Sequence, residues 1–424
     1  MKVTINGTTY TALKNLSFSP EADMSGDSLP INEFSVQIKT DDSIATYQAA
    51  ALYDDRDNLW ANYWIMAAQK HDDGFVYIKA QTVIALLDKQ VKDLNLYVNA
   101  NFTDLVAECF AYVPANSYTI DSSFSSLKIN GYVPEQTARE RLQWLCFVAG
   151  AYVESAFSDK INIKPIDNTA TLIPKEQTYW KPSVNSGDIV TKINVKAFSY
   201  VAGTPTPTDD WITDGTPQSY YIQTSTDYSI TNNNAPSGTP KNEITIDNVT
   251  IVNPDNVSGI LTRLAGYYFN SDTVAASVID NADYVPGQKV VVQVNDEDLK
   301  QGFIKSASFA FGLQAKADIE LVWTEDVTGG TLIVKSMFNG YCVAKKTYVF
   351  PVGHSYSFTN PYIDTMVTGR RYILRPQNAS TSGTLSSGTT TIEVPYDLAL
   401  DYKDSILNIV SVDDVVGGEV TEIG

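Results

Sequence analysis

The chain has 424 residues and a mass of 46.6 kDa, a length that predicts two to four domains. Its 30 Lys and Arg stand against 49 Asp and Glu, and the net charge of −19 argues against tight binding to phosphate backbones. The longest nearly apolar run, 145–153, is far shorter than the ~20 residues of a membrane-spanning helix. Residues 1–7 predict a strand rather than a signal peptide, so we expect neither membrane insertion nor a secretion signal.

Composition predicts a β-rich protein with polar, uncharged surfaces. Only 19% of the residues are charged, and the chain contains 25 Tyr together with many Asn, Ser and Thr. The cysteines are Cys109, Cys146 and Cys342. Because they are odd in number and far apart, they predict reduced thiols of the core rather than disulfides.

Residues 1–95 are predicted to form mostly strands. Apolar and polar side chains alternate with a period of two at 34–39, 63–66 and 75–80. Acidic turn sequences separate these runs, as expected where the chain reverses direction. One short helix is predicted near 43–52.

Residues 96–175 are predicted to form two helices and then a β-hairpin. The predicted helices and strands are, in order, 103–113, 134–150, 151–154 and 161–165. Thr137 and Glu140 have the spacing of a capping box at the start of the second helix. Gly150 stands where a helix usually ends.

Residues 176–325 are predicted to return to β structure around one helix. A strong strand is expected at 189–196, and the stretch 203–238, rich in Thr, Pro, Asn, Ser and Gly, predicts a long surface insertion. A helix is predicted over 254–269, with Pro254 in its first turn. Three alternating runs predict the closing strands: 289–294, 303–309 and 316–323.

The two β regions have a weak internal similarity. The acidic turn 55–58 precedes a strand, a turn and a second strand, and the acidic turn 296–298 precedes the same order. Two similar small β-barrels in one chain would explain this similarity, and chance likeness between β-turns is the alternative.

Residues 326–424 are predicted to form an accessory domain. Gly329 and Gly330 are expected to act as a linker. Short alternating strands predict a small β-sandwich: 331–352 and 370–394. The tract 380–391 predicts a flexible loop, and the acidic residues from 397 onward predict either a frayed tail or a strand that binds a partner.

The sequence carries no recognisable catalytic or metal-binding motif. Histidine occurs only as His71 and His354, so a Ser-His-Asp triad would have to use one of them. The patterns of a zinc site, a phosphate-binding loop and a nucleophile elbow do not occur. We therefore predict no catalytic residues, no cofactor and no metal site.

Acidic pairs leave two alternatives open. Two pairs have the D-x-D spacing of calcium loops: Asp55 with Asp57, and Asp296 with Asp298. The glycine and the late Glu that such loops need do not follow, so solvated turns are the preferred interpretation. Paired carboxylates could also serve an all-β glycosidase, although turns favour Asp for backbone reasons.

Three stretches of the chain carry a family resemblance. They are, in chain order, 32–38 with 57–65, 137–145 with 161–165, and 286–294 with 302–304. In this order they resemble the baseplate hub proteins of phage tails. That family includes the N-terminal hub part of tail-associated lysins from siphophages and prophages, and also the hubs of contractile tails.

The resemblance, together with the predicted helices and strands, implies a mainly β fold with an α+β insertion and four domains. These are a first hub β-barrel (1–95), a helix–helix–hairpin domain (96–175), a second hub β-barrel with an inserted helix and a long loop (176–325), and a C-terminal β-sandwich accessory domain with an acidic tail (326–424). The last domain shows no hydrolase pattern, so no enzyme activity is expected.

The resemblance also implies a homotrimeric ring at the tail tip or baseplate of a virion assembled in the bacterial cytoplasm. Six barrels from three chains would match the sixfold tail tube, and the threefold symmetry would match the tip. The implied partners are further copies of the chain, the tail tube or distal tail protein, the tape measure protein, and tip, spike or receptor-binding proteins. DNA would only pass through the ring.

Aromatic clusters keep a different class of function open. The clusters are 220–221, 267–269, and Trp60 with Trp64. Such residues stack against sugars or, more often, fill a core or a subunit interface. The alternative is therefore a carbohydrate- or cell-wall-binding adhesion module of a tail tip, with the all-β glycosidase as a less favoured third hypothesis.

Overall fold

A computed structural model describes residues 1–12, 14–71, 73–114, 117–179, 181–204, 211–213, 220–279, 284–310, 316–367 and 370–398. Strands predominate and helices are few, which confirms the predicted mainly β fold with an α+β insertion. The chain divides into two compact units. The first comprises 1–171, 176–290 and 302–325, and the second comprises 172–175, 291–301 and the described residues from 326 onward.

The first unit begins with antiparallel strands of a large sheet. These strands are β1 (Lys2–Ile5), β2 (Thr8–Thr11), β3 (Lys14–Phe18), β4 (Glu33–Lys39), β5 (Ala49–Tyr53), β6 (Leu59–Lys70) and β7 (Phe75–Gln81). Val36 and Ile38 of β4 are fully buried, as are Ile78 and Ala80 of β7, so the period-two pattern marks the face turned to the core. The strands predicted at 34–39, 63–66 and 75–80 are thus confirmed.

Helices and short strands follow the first part of the sheet. They are α1 (Ile84–Leu87), β8 (Val91–Lys92), β9 (Asn95–Asn101), α2 (Phe102–Cys109), β10 (Tyr118–Ile120), β11 (Lys128–Val133), β12 (Gln136–Thr137), α3 (Ala138–Ala149), β13 (Ala151–Glu154) and β14 (Ile161–Pro165). A single turn of 3-10 helix covers Ser122–Phe124. The predicted hairpin is confirmed, since β13 and β14 pair antiparallel with Ala151 opposite Pro165.

The predicted capping box and terminal glycine of α3 are confirmed, although the helix begins at Ala138 rather than near 134. Thr137 Oγ1 accepts a hydrogen bond from the Glu140 backbone N–H at 3.2 Å, and Glu140 Oε2 accepts one from the Thr137 backbone N–H at 2.8 Å. This reciprocal pair is the expected capping box. Gly150 ends the helix with φ +66°, a left-handed conformation that glycine adopts at low cost.

The next described part of the chain contains one long helix and ten strands. They are β15 (Ala170–Leu172), β16 (Ser183–Asn185), β17 (Lys192–Ala202), β18 (Trp211–Thr213), β19 (Tyr220–Thr231), β20 (Glu243–Ile246), α4 (Val257–Phe269), β21 (Thr273–Ile279), β22 (Lys289–Gln293), β23 (Leu299–Ala310) and β24 (Lys316–Val327). A second 3-10 turn covers Lys175–Gln177. The helix predicted over 254–269 and the three closing strands are therefore present, although the helix begins at Val257 and Pro254 precedes its first turn.

Strands from both predicted barrels belong to one sheet of the first unit. Its strand order is β16-β21-β24-β23-β3-β4-β7-β6-β5-β1-β2. Phe309 of β23 lies opposite Phe18 of β3 and joins the two halves, and the two rings stack with centroids 5.7 Å apart. A separate sheet, β18-β19-β17-β20, contributes Ile193 and Val195 to the same hydrophobic core as α4.

The second unit contains the last strands that the structure describes. They are β25 (Gly329–Phe338), β26 (Tyr341–Pro351), β27 (Ser355–Thr359), β28 (Ile363–Val367), β29 (Arg370–Pro376), β30 (Ser380–Thr384) and β31 (Gly388–Leu398). They form a sheet β26-β25-β31-β29-β28 and a pair β27-β30. Leu332 of the first sheet and Phe358 of the pair share one core, as expected for a small sandwich. Of the acidic tail predicted from 397 onward, residues 397–398 belong to β31 and 399–424 lie outside the described residues.

Four local predictions are wrong, each because a polar or small-residue sequence forms a strand. No helix forms at 43–52, since Ala49–Tyr53 is a strand with Leu52 fully buried. The expected insertion at 203–238 contains β19, which pairs with β17 over eleven residues, and its residues 205–210 and 214–219 lie outside the described ranges. Thr, Ser and Tyr suit a half-buried pleated surface, and strand pairing supplies the hydrogen bonds that a polar loop would leave to water.

The other two wrong predictions lie in the second unit. The expected linker at 329–330 begins β25, and Gly330 lies opposite Phe350 in the ladder with β26. A side chain at Gly330 would come within 2.4 Å of the Ser386 carbonyl oxygen, so this glycine serves close packing rather than flexibility. The expected loop 380–391 contains β30 and the start of β31.

Candidate functional site

The two histidines lie in turns. His71 is exposed between β6 and β7, where its backbone N–H donates to the Phe75 carbonyl at 2.8 Å. His354 lies between β26 and β27 with its ring 5.0 Å from that of Phe350. Within the described ranges, no group of three His, Cys, Asp or Glu residues could hold a metal ion, and no helix is long and apolar enough to cross a membrane.

The acidic turns are organised by hydrogen bonds and ion pairs. Asp54 Oδ1 accepts hydrogen bonds from the backbone N–H groups of Arg56 and Asn58, both at 2.8 Å. Asn295 Oδ1 accepts from those of Glu297 and Asp298, also at 2.8 Å. Asp57 pairs with Lys2 at 2.8 Å, and Asp296 pairs with Lys175 at 3.4 Å. These contacts are those of solvated turns stabilised by Asx hydrogen bonds.

Two of the three cysteines are core thiols as predicted. Cys109 of α2 and Cys146 of α3 are buried and free, and burial raises the pKa of each thiol to about 12. Cys342 is exposed on β26, so the prediction is wrong for that residue. Its neighbours in β26 are polar or half-buried. The odd number of cysteines in the sequence does not indicate whether a given cysteine lies on an edge strand or in the core.

A partly buried loop between β3 and β4 is held by several side-chain hydrogen bonds. Asp23 Oδ1 accepts from the Ser25 backbone N–H at 2.9 Å, and its Oδ2 accepts from that of Ser28 at 2.6 Å. Met24, Ser25 and Gly26 are buried. The turn that Asp23 organises therefore presents its backbone carbonyls to the helices packed against it.

Side chains from α3 and α4 bind those carbonyls. Arg139 donates to the Leu29 carbonyl through Nε at 3.1 Å and through its terminal nitrogen at 2.6 Å. Arg263 of α4 donates to the Ser25 carbonyl at 2.6 Å and to the Phe147 carbonyl, and it stacks 5.0 Å from the Phe147 ring. Burial lowers the pKa of Arg263 to about 10, so it stays charged at neutral pH.

The same loop holds a carboxyl group with an unusual pKa. Tyr268 donates a hydrogen bond from its hydroxyl to Asp27 Oδ2. Burial and the nearby Asp23 charge raise the pKa of Asp27 to about 6, and the Arg263 charge opposes this increase. The aromatic cluster predicted at 267–269 thus contacts the loop, and the pattern of apolar residues alone gave no sign of this role.

A second feature is a cleft with a volume of about 230 Å³. Its lining comes from Ala49, Asn62, Tyr63, Trp64, Thr82, Val83, Pro114, Ser117, Ser155 and Ser158–Ile161. Of the predicted pair of tryptophans, Trp64 lines this cleft, whereas Trp60 is buried with its ring 4.9 Å from those of Phe157 and Phe309. The sequence indicates both tryptophans as sugar-stacking candidates, and no local pattern shows that only Trp64 lines the cleft.

Several large apolar side chains remain exposed. Among the residues that the structure describes, the most exposed of these are Tyr112, Tyr341, Val98, Val91 and Tyr362. Lys92 lies 4.6 Å from the Tyr112 ring, a cation–π contact that leaves the ring's other face open. Exposed aromatic groups of this kind are typical of surfaces that contact other subunits.

Comparisons with known proteins give a match in structure alone. No protein-family model matches the chain, and no curated protein matches its sequence. Among solved structures, a tail protein from Neisseria meningitidis MC58 has a TM-score of 0.54 at 11% identity, with 76% of this chain and 95% of that chain covered. The 43 kDa tail protein of prophage MuSo2 from Shewanella oneidensis has a TM-score of 0.50 at 12% identity, with coverages of 76% and 97%. The chain therefore has the fold of phage tail proteins, which confirms at the level of the fold the resemblance that the sequence carries.

Proposed function

We propose that the chain is a structural hub protein of a phage tail tip or baseplate and that it acts by assembly rather than catalysis. The observation that carries the proposal is the likeness to two tail proteins across 76% of the chain. Both are covered almost completely, so the shared part is a whole tail protein and not an inserted module. The proposed location is the tail of the virion, after assembly in the host cytoplasm.

The proposed assembly is a homotrimeric ring around the DNA channel. In it, the regions 1–95 and 176–325 of each subunit form the two barrel-like parts, so three chains present six similar parts to a sixfold tail tube. The pairing of Phe18 with Phe309 supports this arrangement, because it holds the two regions of one subunit in a fixed register. The domains 96–175 and 326–424 are proposed to extend from this ring.

Proposed partners are other tail proteins. They are the tail tube or distal tail protein above the ring, the tape measure protein, and the tip, spike or receptor-binding proteins below it. Exposed aromatic side chains such as Tyr112 and Tyr341 are suited to such contacts.

The charge supports a channel through which DNA passes without adhering. Three copies carry 3 × −19 = −57 charges. Duplex DNA carries one negative charge per ~1.7 Å, so a ring with acidic groups towards its bore would repel the passing phosphates. Low adhesion favours fast passage.

The test is the mass of the purified chain and its position in the virion. Light scattering should give three times the chain mass, 3 × 46.6 = 139.8 kDa, and a reconstruction of the phage tail should show a threefold ring beneath the tube. A chain that is monomeric at all concentrations and missing from the tail density would overturn the proposal.

A further inference from the structure

We propose that the cleft between β6 and the β13–β14 turn binds one neutral sugar residue, a ligand class that a tail structural role does not require. The inference concerns residues of the first unit alone. It does not depend on the proposed function, because sugar binding can be measured on the purified chain whatever its oligomeric state.

The first argument is the size and shape of the cleft. Its volume of about 230 Å³ is enough for a single six-membered ring with its hydroxyl groups and too small for a long oligomer. Tyr63 and Ser155 are buried at its base. The site therefore suits one residue of a glycan inserted from solvent.

The second argument is the fixed base of the cleft. Tyr63 donates its hydroxyl hydrogen to the Ser155 carbonyl at 3.2 Å, and Asn32 Nδ2 donates to Ser155 Oγ at 2.7 Å. Asn62 Nδ2 donates to the Asp159 carbonyl at 3.2 Å and links β6 to the turn. A cleft held in this way needs little ordering when a ligand enters, which favours affinity for a small molecule.

The third argument is the side chain of Trp64. It lies on β6, lines the cleft and is half-buried, so its indole is fixed by the core while part of it remains accessible. An indole face offers a large, rigid apolar surface. The C–H face of a pyranose ring is a matching partner for such a surface.

The fourth argument is the set of polar groups at the rim. Asp159 and Lys160 both line the cleft, and within the described ranges neither side chain forms an ion pair. A carboxylate only accepts hydrogen bonds and an ammonium only donates them, whereas each sugar hydroxyl can do both. Adjacent hydroxyl groups of one ring can therefore satisfy both side chains.

The balance of charge selects a neutral ligand. Asp159 and Lys160 are neighbours in sequence and contribute opposite charges to the same rim. An anionic ligand would be opposed by Asp159, which offsets its attraction to Lys160, and a cationic ligand would be opposed by Lys160, which offsets its attraction to Asp159. A neutral ring with several hydroxyl groups meets neither penalty.

The experiment is a titration of the full chain with glucose, galactose and N-acetylglucosamine, followed by ligand-observed NMR and calorimetry. A ligand of this size is expected to bind with a dissociation constant of roughly 1 mM. Asp159→Ala should weaken binding about tenfold or more, and because Asp159 is exposed this variant should fold normally. Asp255→Asn, an exposed carboxylate outside the cleft, is the matched control and should leave binding unchanged.

A second variant tests the aromatic wall. Trp64→Phe keeps a ring and should retain part of the affinity, whereas Trp64→Ala should lose it; thermal unfolding of both reports whether they fold. Three results would overturn the inference: no binding of the three sugars at roughly tenfold above 1 mM, equal binding by Asp159→Ala and the unaltered chain, or binding of the zwitterion glycine betaine in place of the sugars.

Discussion

Arg263 shows how one side chain can hold distant parts of a chain together. It reaches from α4 to the Ser25 carbonyl, 238 positions away, and also binds the Phe147 carbonyl at the end of α3. We expect Arg263→Met to lower the free energy of unfolding by about 2–4 kcal/mol, because two carbonyls lose their charged donor. Urea unfolding measures the change. Arg56→Met, at an exposed turn, is the control, and an equal effect of both variants would contradict the argument.

The raised pKa of Asp27, in the same loop, predicts that the stability of the folded protein depends on pH. An unfolded Asp releases its proton near pH 3.9, whereas burial and Asp23 raise the pKa of folded Asp27 to about 6. Folded molecules thus keep a proton that unfolded ones have lost, so the contribution of Asp27 to stability falls as the pH rises from about 4 to about 6 and stays low above that range.

The variant Asp27→Asn isolates this effect. Because Asn does not titrate, the stability of the variant relative to the unaltered chain should rise across the same pH range. The measurement is urea unfolding of both proteins at several pH values from about 4 to about 7, with Asp255→Asn as the control. A stability difference that is constant with pH would refute the role of Asp27.

At the scale of elements, Gly287 tests the packing of the loop before β22 against β13. Its φ is +95°, and a Cβ there would lie 2.0 Å from the ring of buried Tyr152. Gly7 has a similar φ of +81° with no neighbour within 4 Å, so it shares the conformational cost without the collision. Gly287→Ala should therefore destabilise by ~1–3 kcal/mol more than Gly7→Ala, as measured by urea unfolding. Equal losses would show that the ring moves aside.

At the scale of the whole molecule, the net charge of −19 governs behaviour towards nucleic acid. We expect no retention of duplex DNA in a gel-shift assay at about 50 mM salt, because the chain cannot release many counterions from the phosphates. A basic DNA-binding domain at the same concentration is the positive control. Retention that weakens as salt is added would contradict the proposed DNA channel.

Local patterns predicted much of the fold and little of the candidate site. Helices α2, α3 and α4 were found because their buried stripes and, for α3, its capping box lie within a few residues of sequence. The one-turn helix α1 was missed, since Ile84–Leu87 is too short to show a period. Trp64 was named as a sugar-stacking candidate, but Asp159 and Lys160 were not, because a turn acid beside a lysine is common on any surface.

The sequence by itself determined most of the residues that face a core, the approximate positions of α2, α3 and α4, and that the molecule is acidic. These properties are local or additive, so they can be read along the chain. Only the tertiary structure decided that β3 pairs with β23, that Arg263 meets Ser25, and that Trp64 lies beside the turn of Asp159. Each of these joins residues far apart in sequence, and such pairings depend on the packing of the entire first unit rather than on any local preference.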